Sequence, residues 1–451
     1  MDRDAIDLST LNVFTLFRKY FVPTLLGMLG MSAVTAIDGI FVGHGVGSDG
    51  IAAINICIPL LMLFTGFGLM VGAGCSVVAS IQLSRGKSKS ARLNVTQALL
   101  FVTVVALIPS VLMMIYPEHT ARLLGSSEYL LPKVTDYLLW FVPSWVFQIW
   151  ITVSLFLIRL DGSPRLAMLC SLVSAVINVV LDWLFIFPFG WGVMGAAFAT
   201  SISIIVGGVM AIVYLLFYAR RLRLYLPKLS YKSLRLTIRN LDYQCRIGFS
   251  ALLGEATLAV LMFVGNQVFM SYLGDDGVGA FGIACYYIPF VFMVGNAIAQ
   301  SAQPIISYNF GLGYQDRVTG TERIALLTAV VCGAVVTLVF TVYPDLLVGL
   351  FVNPENEAAR IAINGFPYFS AGFVCFVVNI AAVGYFQSIE RIRPAIVFAS
   401  LRGAVFLIPS FILLPELLEV AGIWLALPFS EFLTSMAVLA FFLVGRKKTC
   451  R

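Results

Sequence analysis

The sequence predicts an all-α polytopic membrane protein: twelve transmembrane helices in two six-helix bundles, related by a pseudo-two-fold axis along the membrane normal. Three observations predict it. The chain has too little charge for a solvated surface, it carries apolar runs of bilayer-crossing length from end to end, and its two halves match each other in order.

Charge comes first. Of 451 residues, 60% are hydrophobic and 12% charged, with a mean hydropathy of +0.96. A soluble domain carries about 25% charged residues, so this chain cannot cover itself with a wet surface. Length alone would suggest three soluble domains, and the composition rules them out.

Apolar runs of about 20 residues or more, the length that crosses a bilayer as helix, fall at 14–42, 52–84, 94–116, 129–158, 165–188, 191–218, 243–273, 278–309, 322–343, 362–388, 394–415 and 421–445. Several exceed the hydrocarbon thickness, which implies tilt or extension beyond it. The opening MDRDAIDLST mixes acids with bases and is followed by no small-residue cleavage pattern, so no removable signal peptide is expected.

The net charge of +6 is distributed by side rather than by patch. Bases gather in alternate connections: Arg18 and Lys19, Arg85 to Arg92, Arg159 and Arg165, Arg220 to Arg246, Arg317 and Arg323, Arg391, Arg393 and Arg402, and Arg446 to Arg451. The intervening loops hold acids such as Asp49, Glu118, Glu128, Asp275, Asp276, Asp345, Glu355, Glu357, Glu416 and Glu419. The positive-inside rule then predicts both termini in the cytoplasm and an even number of spans, in the cytoplasmic (inner) membrane. Nucleic acid is not an expected partner. The basic segment 218–242 reads as a cytoplasmic linker whose bases meet anionic lipid headgroups.

The halves repeat. GSDGIAA at 47–53 matches GDDGVGA at 274–280, Pro59 matches Pro289, Gly86 matches Gly313, Pro164 matches Pro394, and GVMGAA at 192–197 matches GIWLAL at 422–427. An even number of spans per half makes these parallel repeats, with a midplane cavity expected where they meet. The organisation is therefore an N-terminal bundle at 1–217, the linker at 218–242 and a C-terminal bundle at 243–451.

Eight scattered cysteines and two histidines, His44 and His119, show no metal-ligand spacing, so no metal or cofactor is expected. The informative residues are acids inside the spans. Each costs roughly 2.5–3.5 kcal/mol on insertion scales, so an intramembrane acid is a functional candidate. Asp38 lies in the first span. Asn178 and Asp182 lie four residues apart in the fifth, on one helix face. Thr200 lies in the sixth and Glu255 in the seventh. Carboxylates, an amide oxygen and a hydroxyl suit a hard monovalent cation; the same carboxylates can instead take up protons, or simply bridge helices. In the fourth span Tyr137, Trp140, Phe141, Ser144, Phe147 and Gln148 share a face that either packs or lines a substrate cavity. Nine prolines in or beside spans remove backbone donors and suit helices that bend.

The stretches TAIDGIFVGHGVGSDGIAAINI (35–56), RLDGSPRLAM (159–168), INVVLDWLFIFPFGWGVMGAAFAT (177–200) and AQSAQPIISYNFGLGY (299–314), in this order, resemble the multidrug and toxic compound extrusion (MATE) family. QPIISYN is similar to its MepA-like bacterial branch. The resemblance implies a V-shaped transporter that exchanges H⁺ or Na⁺ for amphipathic, cationic or aromatic organic compounds by alternating access, with no enzymatic step and no obligate protein partner, as a monomer. It also implies a coupling-cation site at Asp38, Asn178, Asp182 and Thr200. Glu255 matches an acid that other branches pair with a tenth-span aspartate. Here that span, FPYFSAGFVCFVVNIAAVGYF, has no acid, so a complete second site is not expected. A flippase for lipid-linked precursors would need a basic cavity, which the acidic spans oppose. A polytopic enzyme would need a nucleophile pair or metal motif, which is missing, and a passive channel fits the repeat and the prolines less well than alternating access.

Overall fold

The computed structural model describes residues 6–46, 48–225, 231–352 and 356–449, and every regular element among them is helical. Nine stretches are long and apolar enough to cross a membrane, and a tenth consists of Glu357–Ser370 and Phe373–Ser388, bent by 49°. Two of the nine are too long for one crossing. At about 1.5 Å per residue, the 78-residue and 52-residue stretches are two helices each, reversing at Gly274 (φ 62) and Glu419 (φ 51). The twelve expected spans are thus recovered, six in each half.

The fourth span is not one helix. Pro143 sits in a 3₁₀ turn, Val142–Ser144, between Leu131–Phe141 and Trp145–Leu160. Proline cannot donate to the preceding turn, so the helix tightens and changes phase there. The first span, Val13–Gly45, starts at Asn12, whose Oδ1 accepts from the Phe14 N–H at 2.9 Å, satisfying a donor that the first turn leaves free. The repeat is legible in the caps. The second span of the first half ends with Gly86 at φ 72, and its counterpart ends with Gly313 at φ 81. In both, the next N–H reaches back five residues, Lys87 to Gln82 O and Tyr314 to Asn309 O, each at 2.9 Å. That closure needs a left-handed residue, which glycine adopts without a Cβ penalty.

The chain forms two compact units. Residues 1–252 and 307–315 make the first, and 253–306 with 316–451 make the second. The start of the seventh span packs within the first unit, where Gln97 donates to the Thr237 hydroxyl at 2.7 Å and Asn240 donates to Gln97 at 3.4 Å. Of the linker, 226–230 lies outside the described residues.

Asp161 anchors the linker's start. Its carboxylate is buried and accepts from Tyr214 Oη at 2.8 Å and from the backbone N–H groups of Arg220, Arg221 and Leu222 at 3.0, 2.8 and 3.0 Å. Arg92 donates to the carbonyls of the same segment. Removing a buried acceptor strands its donors, at about 1–3 kcal/mol each. Asp161→Ala is therefore expected to destabilise the protein by at least about 2 kcal/mol, read as a lower thermal midpoint in detergent. Asp161→Asn, which keeps one acceptor oxygen, is expected to recover part of the loss.

Arg402 differs from its expected place. Its place in the sequence groups it with the cytoplasmic bases Arg391 and Arg393, yet it is buried within the eleventh span of the second unit, in a one-turn π-helix, Leu401–Val405.

Candidate cation site

The first, fifth and sixth spans build the site inside the first unit. Val13–Gly45 packs chiefly on Pro164–Ile186, which in turn packs on Gly192–Val213. The four-residue spacing of Asn178 and Asp182 aims both inward, and both are buried. Asp38 comes from the first span to meet them: its carboxyl lies within hydrogen-bonding reach of the Asp182 carboxyl. With both ionised, no donor serves either group, and Asp38 Oδ1 and both Asp182 oxygens are buried without a hydrogen-bond partner. Among the described residues, no ion pair includes Asp38 or Asp182.

Asn178 and Thr200 complete the set. Asn178 donates to the Thr200 hydroxyl at 3.3 Å, and that hydroxyl donates to Ala196 O at 2.9 Å. The nitrogen of Asn178 is thus committed to Thr200, and its amide oxygen remains an acceptor. Beyond Asp182 along the chain, the rings of Phe185, Phe189, Trp191 and Phe198 cluster, with Phe185 stacked on Trp191 and Trp140 edge-on to Phe198. Two carboxyl groups thus adjoin at a buried point, with an amide–hydroxyl pair one helix turn away on the fifth span; oxygen groups of this kind suit a monovalent cation or a proton.

Glu255 is not part of this cluster; it is buried in the second unit. The fourth-span face divides by burial. Tyr137, Phe141 and Ser144 are buried, with the Phe141 ring against Tyr137 and Trp145 and the Ser144 hydroxyl bonded to Phe141 O at 2.7 Å. Tyr137 interacts electrostatically with both Asp38 and Asp182. Trp140 is exposed, and Phe147 and Gln148 are half-buried.

A second polar cluster went unread in the sequence. In the second unit Glu431 is fully buried and pairs with Arg402 (Nε to Oε1, 2.6 Å), while Asn379 donates to Glu431 Oε2 at 2.7 Å. The signal was present as a lone glutamate in the apolar run LALPFSEFLTSM, residues 425–436. Among the described residues no group of histidines, cysteines and acids has metal-binding geometry, and the seven described cysteines are free.

The MatE family model matches residues 23–184 and 251–412, one copy on each half of the chain. The chain belongs to the MatE family. The two matched segments follow the internal repeat, and the family is one of membrane transporters, so the chain is a transporter and not an enzyme. Among MatE relatives, the multidrug export protein MepA of Staphylococcus saprophyticus is 27% identical over 95% of this chain and 93% of its own. MepA of Staphylococcus aureus is 23% identical over the same shares. Solved MatE-type structures agree in fold. An outward-facing multidrug resistance MATE transporter superposes with a TM-score of 0.90, at 18% identity, over 99% of this chain and 98% of its own. A Pyrococcus furiosus transporter of the same superfamily, described as having a binding pocket of reverse polarity and a different function, superposes at 0.88 with 18% identity over the same shares. The fold therefore does not by itself set substrate charge; the side chains do.

Proposed function

We propose that this MatE transporter exports amphipathic, cationic or aromatic organic compounds in exchange for an inward-moving H⁺ or Na⁺ held by Asp38, Asn178, Asp182 and Thr200. The observation that carries the reading is the pairing of two carboxyl groups at one buried point with no basic partner. Two like charges in a low-dielectric site repel strongly, so the site is stable when a proton or a metal cation joins it.

The cycle follows from that charge balance. A compound enters from the cytoplasmic side, where both termini lie. Opening outward exposes the acids to external cations, and neutralising Asp38 and Asp182 lets the first span repack against the fifth and release the compound. A ligand drives such a switch only through unequal affinity for the two states, and the ionised and neutralised pair supply it. Trp140, Phe147 and Gln148 are the fourth-span groups with surface to offer a substrate. Tyr137 sits close enough to both acids to sense their charge. Glu255 is a candidate for a subsidiary acidic role in the second half. No cofactor is required, and the protein acts as a monomer.

The test is uptake of a planar aromatic cation, ethidium, into proteoliposomes with proton and sodium gradients imposed separately. Accumulation driven by one of the two gradients, and lost in Asp38→Asn and Asp182→Asn protein, is expected. Equal uptake without any gradient would refute coupling.

A further inference from the structure

The two halves differ in what they do with buried negative charge. In the first half the acids Asp38 and Asp182 have no basic partner. In the second half Glu431 is enclosed by fixed partners from two neighbouring spans: Arg402 Nε on Oε1 at 2.6 Å and Asn379 Nδ2 on Oε2 at 2.7 Å. Asn379 also donates to the Glu431 carbonyl at 2.8 Å and accepts at its Oδ1 from Ser435 at 2.9 Å. Asn379 is thereby held in one orientation, with its amide nitrogen towards the carboxylate. The Arg402 guanidinium lies over the Phe376 ring, 4.2 Å from its centroid, which stabilises a desolvated cation.

Replacing a buried ion pair by apolar groups is often neutral or stabilising, so stability alone does not account for this one. The repeat indicates its role. Spans eleven and twelve match spans five and six at a separation of 230 residues, as Pro394 matches Pro164 and Gly422 matches Gly192. On that register Arg402 and Glu431 correspond to Leu172 and Ser201, while Asn178 and Asp182 correspond to Ile408 and Ile412. Neither half therefore repeats the other's polar residues: the equivalents are Leu172, Ser201, Ile408 and Ile412. The π-turn at Leu401–Val405 brings the Arg402 side chain into the core; one-turn π-bulges of this kind recur at functional sites.

We infer that Arg402 is a covalently resident counter-cation for Glu431: it stands where an exchangeable ion would otherwise be needed, so that the second half binds no coupling ion at Glu431 and ion exchange is confined to the first half. The inference extends the proposed coupling site but is tested apart from it.

The test uses purified full-length protein and needs no substrate. Thermal midpoints are measured for wild type, Arg402→Met and the double variant Arg402→Met with Glu431→Met. Each is measured at pH 8 in choline chloride, at pH 8 in sodium chloride, and at pH 6 in choline chloride. The groups facing Glu431 are Arg402 and Asn379, with Ser435 bonded to the latter. Arg402→Met leaves a buried carboxylate without its cation and is expected to lose roughly 10 °C at pH 8 in choline. At least half of the loss is expected to return with sodium or with acid, a gain larger than wild type shows. The double variant is expected within about 3 °C of wild type, with the wild-type response to cations. A merely structural pair would lower the midpoint without creating a new demand for a cation.

The inference is overturned if Arg402→Met responds to sodium and acid no more than wild type, or if the double variant stays as low as the single one. It is equally overturned if the double variant loses cation response that wild type has, since Glu431 would then be exchanging ions. If Arg402→Met cannot be purified, Arg402→Gln, which keeps a hydrogen-bond donor but no charge, is measured in its place against the same outcomes. Failure of the first-half site would appear separately, as an unchanged cation response in Asp38→Asn and Asp182→Asn protein.

Discussion

Cells producing Asp182→Asn protein at wild-type levels are expected to accumulate ethidium as vector controls do, with efflux reduced at least about tenfold, corresponding to a loss of about 1.4 kcal/mol or more of differential cation affinity. Asparagine keeps the shape of aspartate and can hydrogen-bond to Asp38, so helix packing survives. It carries no charge that a proton or sodium ion can neutralise, so the two states lose their unequal affinity for the ion. Asp38→Asn is expected to behave in the same way, because the two carboxyl groups adjoin. Thr200→Ala removes only a hydroxyl that accepts from Asn178, and a smaller loss, about threefold to tenfold, is expected from one neutral hydrogen bond. Intracellular fluorescence at matched protein levels reads all three. Undiminished efflux by either aspartate variant would remove the acids from the mechanism.

The second large effect concerns assembly. Gly74 on the second span and Gly248 on the seventh lie where two backbones touch. A Cβ on Gly74 would strike the Gln244 carbonyl oxygen, and one on Gly248 would strike the Met70 carbonyl oxygen. Both obstacles are main-chain atoms, which cannot swing aside as a side chain can. Small residues at the contact are how membrane helices approach this closely. Gly74→Ala and Gly248→Ala are each expected to cost about 1–3 kcal/mol or more through overpacking, read as loss of the monodisperse peak in size-exclusion chromatography and a lower thermal midpoint. Gly320→Ala is the control. Nothing lies within 4 Å of its Cβ position, so the expected change is neutral or slightly stabilising, from helix propensity alone.

How legible this protein is from its sequence varies with the kind of signal. The spans were readable because a bilayer imposes length and apolarity on each helix independently, and the positions expected for all twelve agree with helices in the structure. The repeat was readable through residues with obligatory backbone roles, such as Gly86 and Gly313. Asp38, Asn178, Asp182 and Thr200 were visible as polar exceptions, since an acid in an apolar run stands out wherever it falls. Arg402 and Glu431 stood out less. Arg402 follows close on Arg391 and Arg393 and so blended into a loop charge cluster, and a π-turn that draws it inward leaves no periodic mark. The division of Tyr137, Phe141 and Ser144 from Trp140 was equally hidden, because residues three or four apart share a helix face by spacing, and only packing decides which of them is covered.

The sequence by itself determined the solvent this chain folds in, the number of crossings, the internal duplication and the presence of buried acids. These follow from composition and spacing, and each segment satisfies its own backbone hydrogen bonds within a helix. Tertiary structure alone decided which polar groups meet. It set Asp38 beside Asp182, supplied Arg402 and Asn379 to Glu431, and closed the Asp161 carboxylate over three backbone donors. Partners that lie up to about 140 residues apart are chosen by which helix faces pack together, and that choice depends on small residues and helix breaks rather than on the polar residues themselves.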